Sequence, residues 1–224
     1  MKILVINPNS SEEMTAAIQK VASNFAAGDF EVTTVQNPGA PEFIETYEDQ
    51  VKTVPGIINI IRSNEDSYDA FVLACHCDPQ LDVCKEITKK PVVGIGEASM
   101  KIASMLGHRF SVVSTAKHSI PNKEALVHKY FLDGVLASVK APPDDAGDCS
   151  VEEKTFLASK AAIEEDMAEV IVLGCAGFAG LDKRLQEKLA VPVLDSVVCG
   201  LIVAVGLAKY GISTSKIRRY NLEH

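Results

Sequence analysis

Two cysteines share one local context, a hundred residues apart. "FVLACHCDPQLD" runs from Phe71 to Asp82, and "IVLGCAGFAGLD" runs from Ile171 to Asp182. Val72 and Val172, Leu73 and Leu173, Cys75 and Cys175, Leu81 and Leu181, and Asp82 and Asp182 occupy matching positions. In each copy an apolar run of strand type ends just before a cysteine. A thiol is suited to proton transfer because its unperturbed pKa, about 8.5, can be tuned toward working pH. Two thiols on opposite faces of one carbon acid can invert it: one thiolate removes the proton and the other thiol returns one. Nearby donors must then hold the enolate oxygen that forms.

Cysteine also packs as a small hydrophobe, and that is its commonest role. The repeat separates Cys75 and Cys175 from Cys84, Cys149 and Cys199, which are assigned to structure. A metal is the other reading of Cys75-His76-Cys77. Structural zinc sites favour cysteine pairs two to four residues apart, and no second pair is present, so no metal is expected. His76 reads as a polar wall of the site or as an exposed side chain. His108 and His128 fall on surface positions, and His118, after "STAK", is placed to approach the site.

The elements that must position these thiols follow from hydrophobic patterning. "KILVI", "EVTTV", "AFVLAC" and "PVVGIG" read as strands of the first half, and "RFSVVST", "GVLASVK", "EVIVLGC" and "VPVLD" as strands of the second. Amphipathic segments separate them: Ser10–Phe25, the stretch containing Pro55-Gly56 with a bend there, "PQLDVCKEITK", "EASMKIASML", "NKEALVHKYFL", "VEEKTFLASKAAIEED" and "LDKRLQEKLA". Ser10 with Glu13 fits a capping box, and Asp78 with Pro79 fits the start of a helix. Such alternation predicts parallel α/β sheets. The repeat predicts two pseudo-symmetric α/β domains with the active site in the cleft between them. The expected boundaries are 1–97 plus about 205–221 for the first domain and 98–204 for the second. Ligands of such sheets bind beyond the carboxyl ends of the strands, where Cys75 and Cys175 fall. A helix N-terminus there would favour the thiolate.

Composition narrows the function classes. The 224 residues are 47% hydrophobic and 23% charged, with net charge −8. With no block of Lys or Arg, nucleic acid is not an expected partner. The longest apolar run, Val197 to Ala208, contains two glycines and is too short to span a bilayer. Met1-Lys2 precedes only four apolar residues before Asn-Pro-Asn, so no signal peptide is read. A cytoplasmic protein is expected, in which six cysteines form no disulfide framework. Leu222-Glu223-His224 reads as the remnant of a purification tag. No phosphate-binding glycine fingerprint and no Schiff-base lysine at a strand end are present, so no cofactor is expected.

Taken in order, "VINPNSS" (Val5–Ser11), "APEFIETYEDQ" (Ala40–Gln50), "ACHCDP" (Ala74–Pro79), "PVVGIGEA" (Pro91–Ala98), "LGHRFSVVST" (Leu106–Thr115) and "LGCAGFAGL" (Leu173–Leu181) span nearly the whole chain. In this order and spacing the chain resembles the aspartate/glutamate/hydantoin racemase superfamily. Within it the resemblance is to the hydantoin racemase branch, which includes allantoin racemases. The resemblance implies a cofactor-independent racemase of a small-molecule substrate, working as a homo-oligomer, with Cys75 and Cys175 as the catalytic pair. It also implies that Asn9 and Ser10 hold the substrate from the first-strand loop, with Ser114 and Thr115 in the corresponding loop of the second half. Cys77, Ala176 and Gly177 would offer backbone N–H groups to the enolate oxygen.

Racemases of free glutamate or aspartate typically follow their cysteines with Asn-Thr and Thr-His. Here His76-Cys77 and Ala176-Gly177 follow, and the small residues favour a compact uncharged ring. Arylmalonate decarboxylases use one cysteine, whereas maleate isomerases keep two. The chain departs from the branch in carrying His76-Cys77 where hydantoin racemases commonly have Phe-Gly. The rival readings are an amino acid racemase, a maleate-isomerase-like enzyme, and an α/β protein that binds a ligand without turning it over.

Overall fold

The computed structural model describes residues 1–221; the suggested tag remnant, Leu222 to His224, lies outside the described residues. The chain divides into two compact units. One comprises Met1–Ile95 with the chain from Gly200 onward, and the other Gly96–Cys199.

In the first unit, β1 (Lys2–Asn7), α1 (Glu12–Ala26), β2 (Glu31–Gln36), α2 (Tyr47–Asn64), β3 (Ala70–Leu73), α3 (Leu81–Glu86) and β4 (Val92–Gly94) follow in order. The strands form one parallel sheet in the order β2-β1-β3-β4. Helix α4 (Ile95–Leu106) leads into the second unit. There β5 (Phe110–Val113), α5 (Ile120–Lys129), β6 (Leu136–Lys140), α6 (Val151–Asp166), β7 (Val170–Leu173), α7 (Asp182–Leu189) and β8 (Val193–Leu194) follow. They build a second parallel sheet, β6-β5-β7-β8. Helix α8 (Ser196–Tyr210) starts in this unit and ends in the first. The two sheets thus repeat one topology, with β5 to β8 in the places of β1 to β4.

The central strands are buried along their length: Ala70 to Leu73, Phe110 to Val113 and Val170 to Leu173 contain no exposed residue. This is why they read as unbroken apolar runs, as parallel strands covered on both faces do. In the second unit the alternation is visible in the core. Phe110, Val112, Val170 and Val172 pack with Met100, Ala103, Leu126 and Val127 of α4 and α5. Val113, Ile171 and Leu173 point the other way, against Ala158, Ala162 and Leu185 of α6 and α7. In the first unit Leu4, Ile6, Phe71 and Leu73 close on Ile57, Ile61, Leu81 and Cys84 of α2 and α3. Full burial of each large side chain contributes about 1.5–3 kcal/mol against the entropy of ordering it.

Two helix starts differ from the sequence reading. Ser11, not Ser10, caps α1: its hydroxyl accepts from the Met14 N–H at 3.3 Å. Ser10 instead donates its own N–H to the Pro41 carbonyl at 3.1 Å, as part of the loop. Asp78 does not cap α3; the residue before the helix is Gln80, with φ +50. The chain behind α3 is held by the C-terminal segment. Lys216 Nζ donates to the Glu86 carbonyl at 3.1 Å and also to that of Lys85, and the Tyr220 hydroxyl donates to Asp82 Oδ1. Among the described residues no helix is long and apolar enough to cross a membrane.

Candidate active site

In each sheet the connections leave the central pair of strands in opposite directions. β1 leads outward to β2 while β3 leads to β4, and β5 and β7 diverge in the same way. The loops after such a pair splay apart and leave a crevice at the strand ends, the usual ligand site of open α/β sheets. Both cysteines stand there in the same register. Ile6 pairs with Leu73, and the Ala74 N–H extends the ladder to the Ile6 carbonyl at 2.8 Å. Val113 pairs with Leu173, and the Gly174 N–H reaches the Val113 carbonyl at 2.8 Å. Cys75 and Cys175 are the next residues, and both are half-buried.

The two loops that follow are built differently. After Cys75 the chain hooks through a turn in which the Asp78 N–H donates to the Cys75 carbonyl at 2.9 Å. Asp78 and Gln80 both take positive φ, +45 and +50. Left-handed backbone costs of order 1–3 kcal/mol at a non-glycine residue, so the surroundings must hold the hook. Part of that hold is visible at Gly94: a Cβ there would stand 2.2 Å from Asp78 Oδ1 and 2.8 Å from Leu81 Cδ2. Asp78 therefore packs its buried carboxylate over the end of β4. The expected helix N-terminus beneath Cys75 is absent, because α3 begins only at Leu81.

Cys175 does sit at a helical start. It is the N-cap of a single 3₁₀ turn, Ala176–Phe178, and its Sγ accepts the Gly177 N–H at 3.3 Å. A backbone donor aimed at sulfur favours negative charge there. It also means that the Gly177 N–H, expected to face the enolate oxygen, is engaged by the thiol itself. Ala176 is buried in the same turn, and Cys77 is half-buried.

The loop after β1 brings Asn9 and Ser10 to the strand end beside the Cys75 loop. Asn9 is 5% exposed and firmly held: its Oδ1 accepts from Asn7 Nδ2 at 2.7 Å and from the Ser11 N–H at 3.0 Å, and its Nδ2 faces Met14 Sδ at 3.3 Å. Asn7 is the organiser: its Nδ2 also donates to Thr15 Oγ1 at 2.9 Å. Ser10 is half-buried. In the second unit Ser114 is buried, its hydroxyl paired with that of Ser119, whereas Thr115 is exposed. His76 is buried at 2% exposure, so the alternative of an exposed side chain does not hold. His118 is exposed on the 3₁₀ turn Lys117–Ser119, and His108 and His128 are exposed.

Two other cysteines, Cys84 and Cys199, are set apart by their burial. Burial pushes the Cys84 and Cys199 thiols up to about 12 each, so both stay neutral near pH 7. Among the described residues no group of three His, Cys, Asp or Glu side chains is arranged to hold a metal ion. The sequence reading also missed Asp195. It is 4% exposed, and burial raises its pKa despite three backbone N–H donors. An Asp-Ser pair between a strand and an apolar helix was the available signal.

Two parallel α/β sheets of one topology, each followed after its third strand by a half-buried cysteine, define a duplicated α/β architecture. The Asp/Glu/Hydantoin racemase family model matches residues 3–204, and the chain belongs to that family. It is 39% identical to a hydantoin racemase of Pseudomonas sp. (strain NS671), over 98% of this chain and 91% of that protein. Among solved structures, the allantoin racemase from Klebsiella pneumoniae superposes with a TM-score of 0.92 at 33% identity, covering 100% of this chain and 94% of its own. The allantoin racemase from Pseudomonas fluorescens superposes with a TM-score of 0.91 at 31% identity, covering 98% and 96%.

Proposed function

We propose that the protein is a cofactor-independent racemase that inverts the C5 centre of a hydantoin or allantoin-like ring, with Cys75 and Cys175 as its two bases. The observation that carries this reading is the matched register of the two thiols, each one residue past the ladder bond that closes a switch point. The relatives named for hydantoin and allantoin support the ring as substrate.

The chemistry balances with the thiols alone. The thiolate of one cysteine takes the C5 proton, and the electron pair moves onto the adjacent ring carbonyl as an enolate. The thiol of the other cysteine protonates C5 from the opposite face. One thiol and one thiolate exchange roles per turnover, so the reverse inversion begins from the state the forward one leaves. Cys175 carries its own N–H donor, from Gly177. Asn9, Ser10, Ser114 and Thr115 are read as substrate contacts, and the backbone of Cys77 and Ala176 as enolate donors. His76, buried beside the first base, is read as a determinant of ring choice.

The decisive experiment follows α-hydrogen exchange in D2O for Cys75→Ser and Cys175→Ser. Neither should racemise. Each should still exchange one enantiomer with retention, because a single thiol can remove and return a proton on its own face, and the two variants should prefer opposite enantiomers. Exchange of the same enantiomer by both, or wild-type racemisation by either, refutes the pair. Binding of the ring without any exchange by the wild type would return the chain to the non-catalytic reading.

We read the protein further as a cytoplasmic homo-oligomer. Six cysteines with no spacing of a disulfide framework suit a reducing compartment. Tyr47 and Val51 expose apolar surface on one face of α2, at 71% and 62%. A single-chain mass in light scattering would refute the oligomer.

A further inference from the structure

The Cys175 loop is gripped at both ends by two consecutive buried side chains, Asp195 and Ser196. At the near end the Ser196 hydroxyl donates at 2.6 Å to the Leu173 carbonyl, two residues before Cys175. At the far end the Gly180 N–H, five residues after Cys175, donates at 2.8 Å to Asp195 Oδ2. The other oxygen, Oδ1, accepts the N–H groups of Val197 at 2.8 Å and Val198 at 3.3 Å, which caps α8. Between the two grips the loop is a chain of short turns: Phe178 N–H to the Cys175 carbonyl, Ala179 to Ala176, and Leu181 to Phe178, each at 3.1 Å.

Capping α8 needs only one of these oxygens. Asparagine caps a helix as well as aspartate does, and it would not place a charge in a site 4% exposed. A carboxylate there is costly, and burial indeed raises its pKa. What the second oxygen provides is an acceptor for Gly180. Because Ser196 is 2% exposed and holds the opposite end, the two residues fix both ends of the turn that aims the sulfur.

We propose that Asp195 and Ser196 are positioning residues for Cys175, a two-point clamp that sets the direction from which its sulfur meets the substrate. This rests on the reading of Cys175 as one of the two bases. The Cys75 loop uses other supports, so the clamp acts on one face of the reaction only.

That asymmetry makes the proposal testable. Asp195→Asn keeps the α8 cap through its carbonyl oxygen and turns an NH2 group against the Gly180 N–H, donor to donor. Ser196→Ala releases the Leu173 carbonyl while leaving Asp195 intact, and serves if the first variant folds poorly. In D2O, each variant should lose roughly 10-fold to 100-fold in exchange of the enantiomer that Cys175 serves. Exchange of the enantiomer served by Cys75 should stay within about twofold, and racemisation should fall in kcat more than in KM. Equal loss on both faces, or no loss on either, in folded protein overturns the clamp. A second readout does not depend on the function assigned to Cys175. Peptide mapping after timed iodoacetamide treatment should show the Cys175 rate changed severalfold relative to Cys75 in the same molecule. If Cys175→Ser still racemises, the two-base reading fails, yet the labelling ratio continues to test the clamp. An unchanged ratio in both variants refutes it.

Discussion

Gly174→Ala probes the seat of the second cysteine directly. A Cβ at residue 174 would stand 2.6 Å from the Val113 carbonyl oxygen and 2.9 Å from Val112 Cγ1. Ordinary contact begins at 3.4 Å, so the gap to the Val113 oxygen must open by about 0.8 Å. No rotamer change relieves it, because the obstructing atom is backbone and is the acceptor of the Gly174 N–H itself. Either β7 lifts from β5 at its end or the ladder bond breaks. Overpacking of this kind costs about 1–3 kcal/mol. Cys175 is the next residue, so its sulfur moves with the strand, and a displacement near 1 Å can cost about 100-fold in rate. Urea unfolding and polarimetric racemisation measure the two effects separately. Gly206→Ala serves as the control: nothing lies within 4 Å of its Cβ position in α8, and it should stabilise slightly. A Gly174→Ala protein with wild-type rate and wild-type stability would show that the Gly174–Val113 junction does not position the thiol.

Three further outcomes are expected. At pH 8 a thiol with a pKa of about 12 is thiolate in roughly one molecule in ten thousand, so Cys84 and Cys199 should resist iodoacetamide while half-buried Cys75 and Cys175 react; early labelling of the buried pair, seen by mass spectrometry, contradicts this. Glu65 is held below the usual carboxylate range chiefly by the Thr88 hydroxyl, which donates at 2.6 Å, with the Lys89 N–H assisting. A depressed carboxylate stabilises the fold fully above its unfolded pKa, 4.5, and loses that contribution as pH falls through the folded value. The gap in unfolding free energy between wild type and Thr88→Val, measured in urea and about 1 kcal/mol at pH 7, should therefore narrow below pH 4.5, and a constant gap would exclude the linkage. Finally, two thiols complete the proposed proton transfer unaided, so enzyme dialysed against EDTA should keep its full rate, and activity restored only by Zn²⁺ would contradict that.

The parallel strands were legible because burial on both faces leaves an unmistakable mark: "FVL" and "IVL" are what a covered strand must be. The paired cysteines were legible for a related reason, since both follow strands whose ends are fixed by the same ladder. Less was visible in the loops. The left-handed backbone of Asp78 and Gln80 depends on packing against Gly94, sixteen residues further on. Local propensity favoured a simple cap and erred. Ser10 and Ser11 are equivalent by composition, and only the Pro41 carbonyl decides which of them enters the loop and which caps α1. Asp195 had the signature of a helix cap, but its second partner, Gly180, lies fifteen residues earlier across a strand and a helix. Such pairings are set by tertiary structure, which periodicity does not encode.

The unit built on β1 to β4 is interrupted, while the other is one continuous stretch of chain. At Gly200 α8 comes so close to the first sheet that a Cβ would lie 2.9 Å from both Val72 Cγ1 and Ile95 Cγ2. Lys216 and Tyr220 then fasten α3. During synthesis, residues 1–95 leave the ribosome first, yet the helix that meets Val72 at Gly200 is translated last. The uninterrupted stretch can close its own core in that interval, so the half begun first is completed last. Until then it holds an apolar strand face that other nascent chains or chaperones can meet.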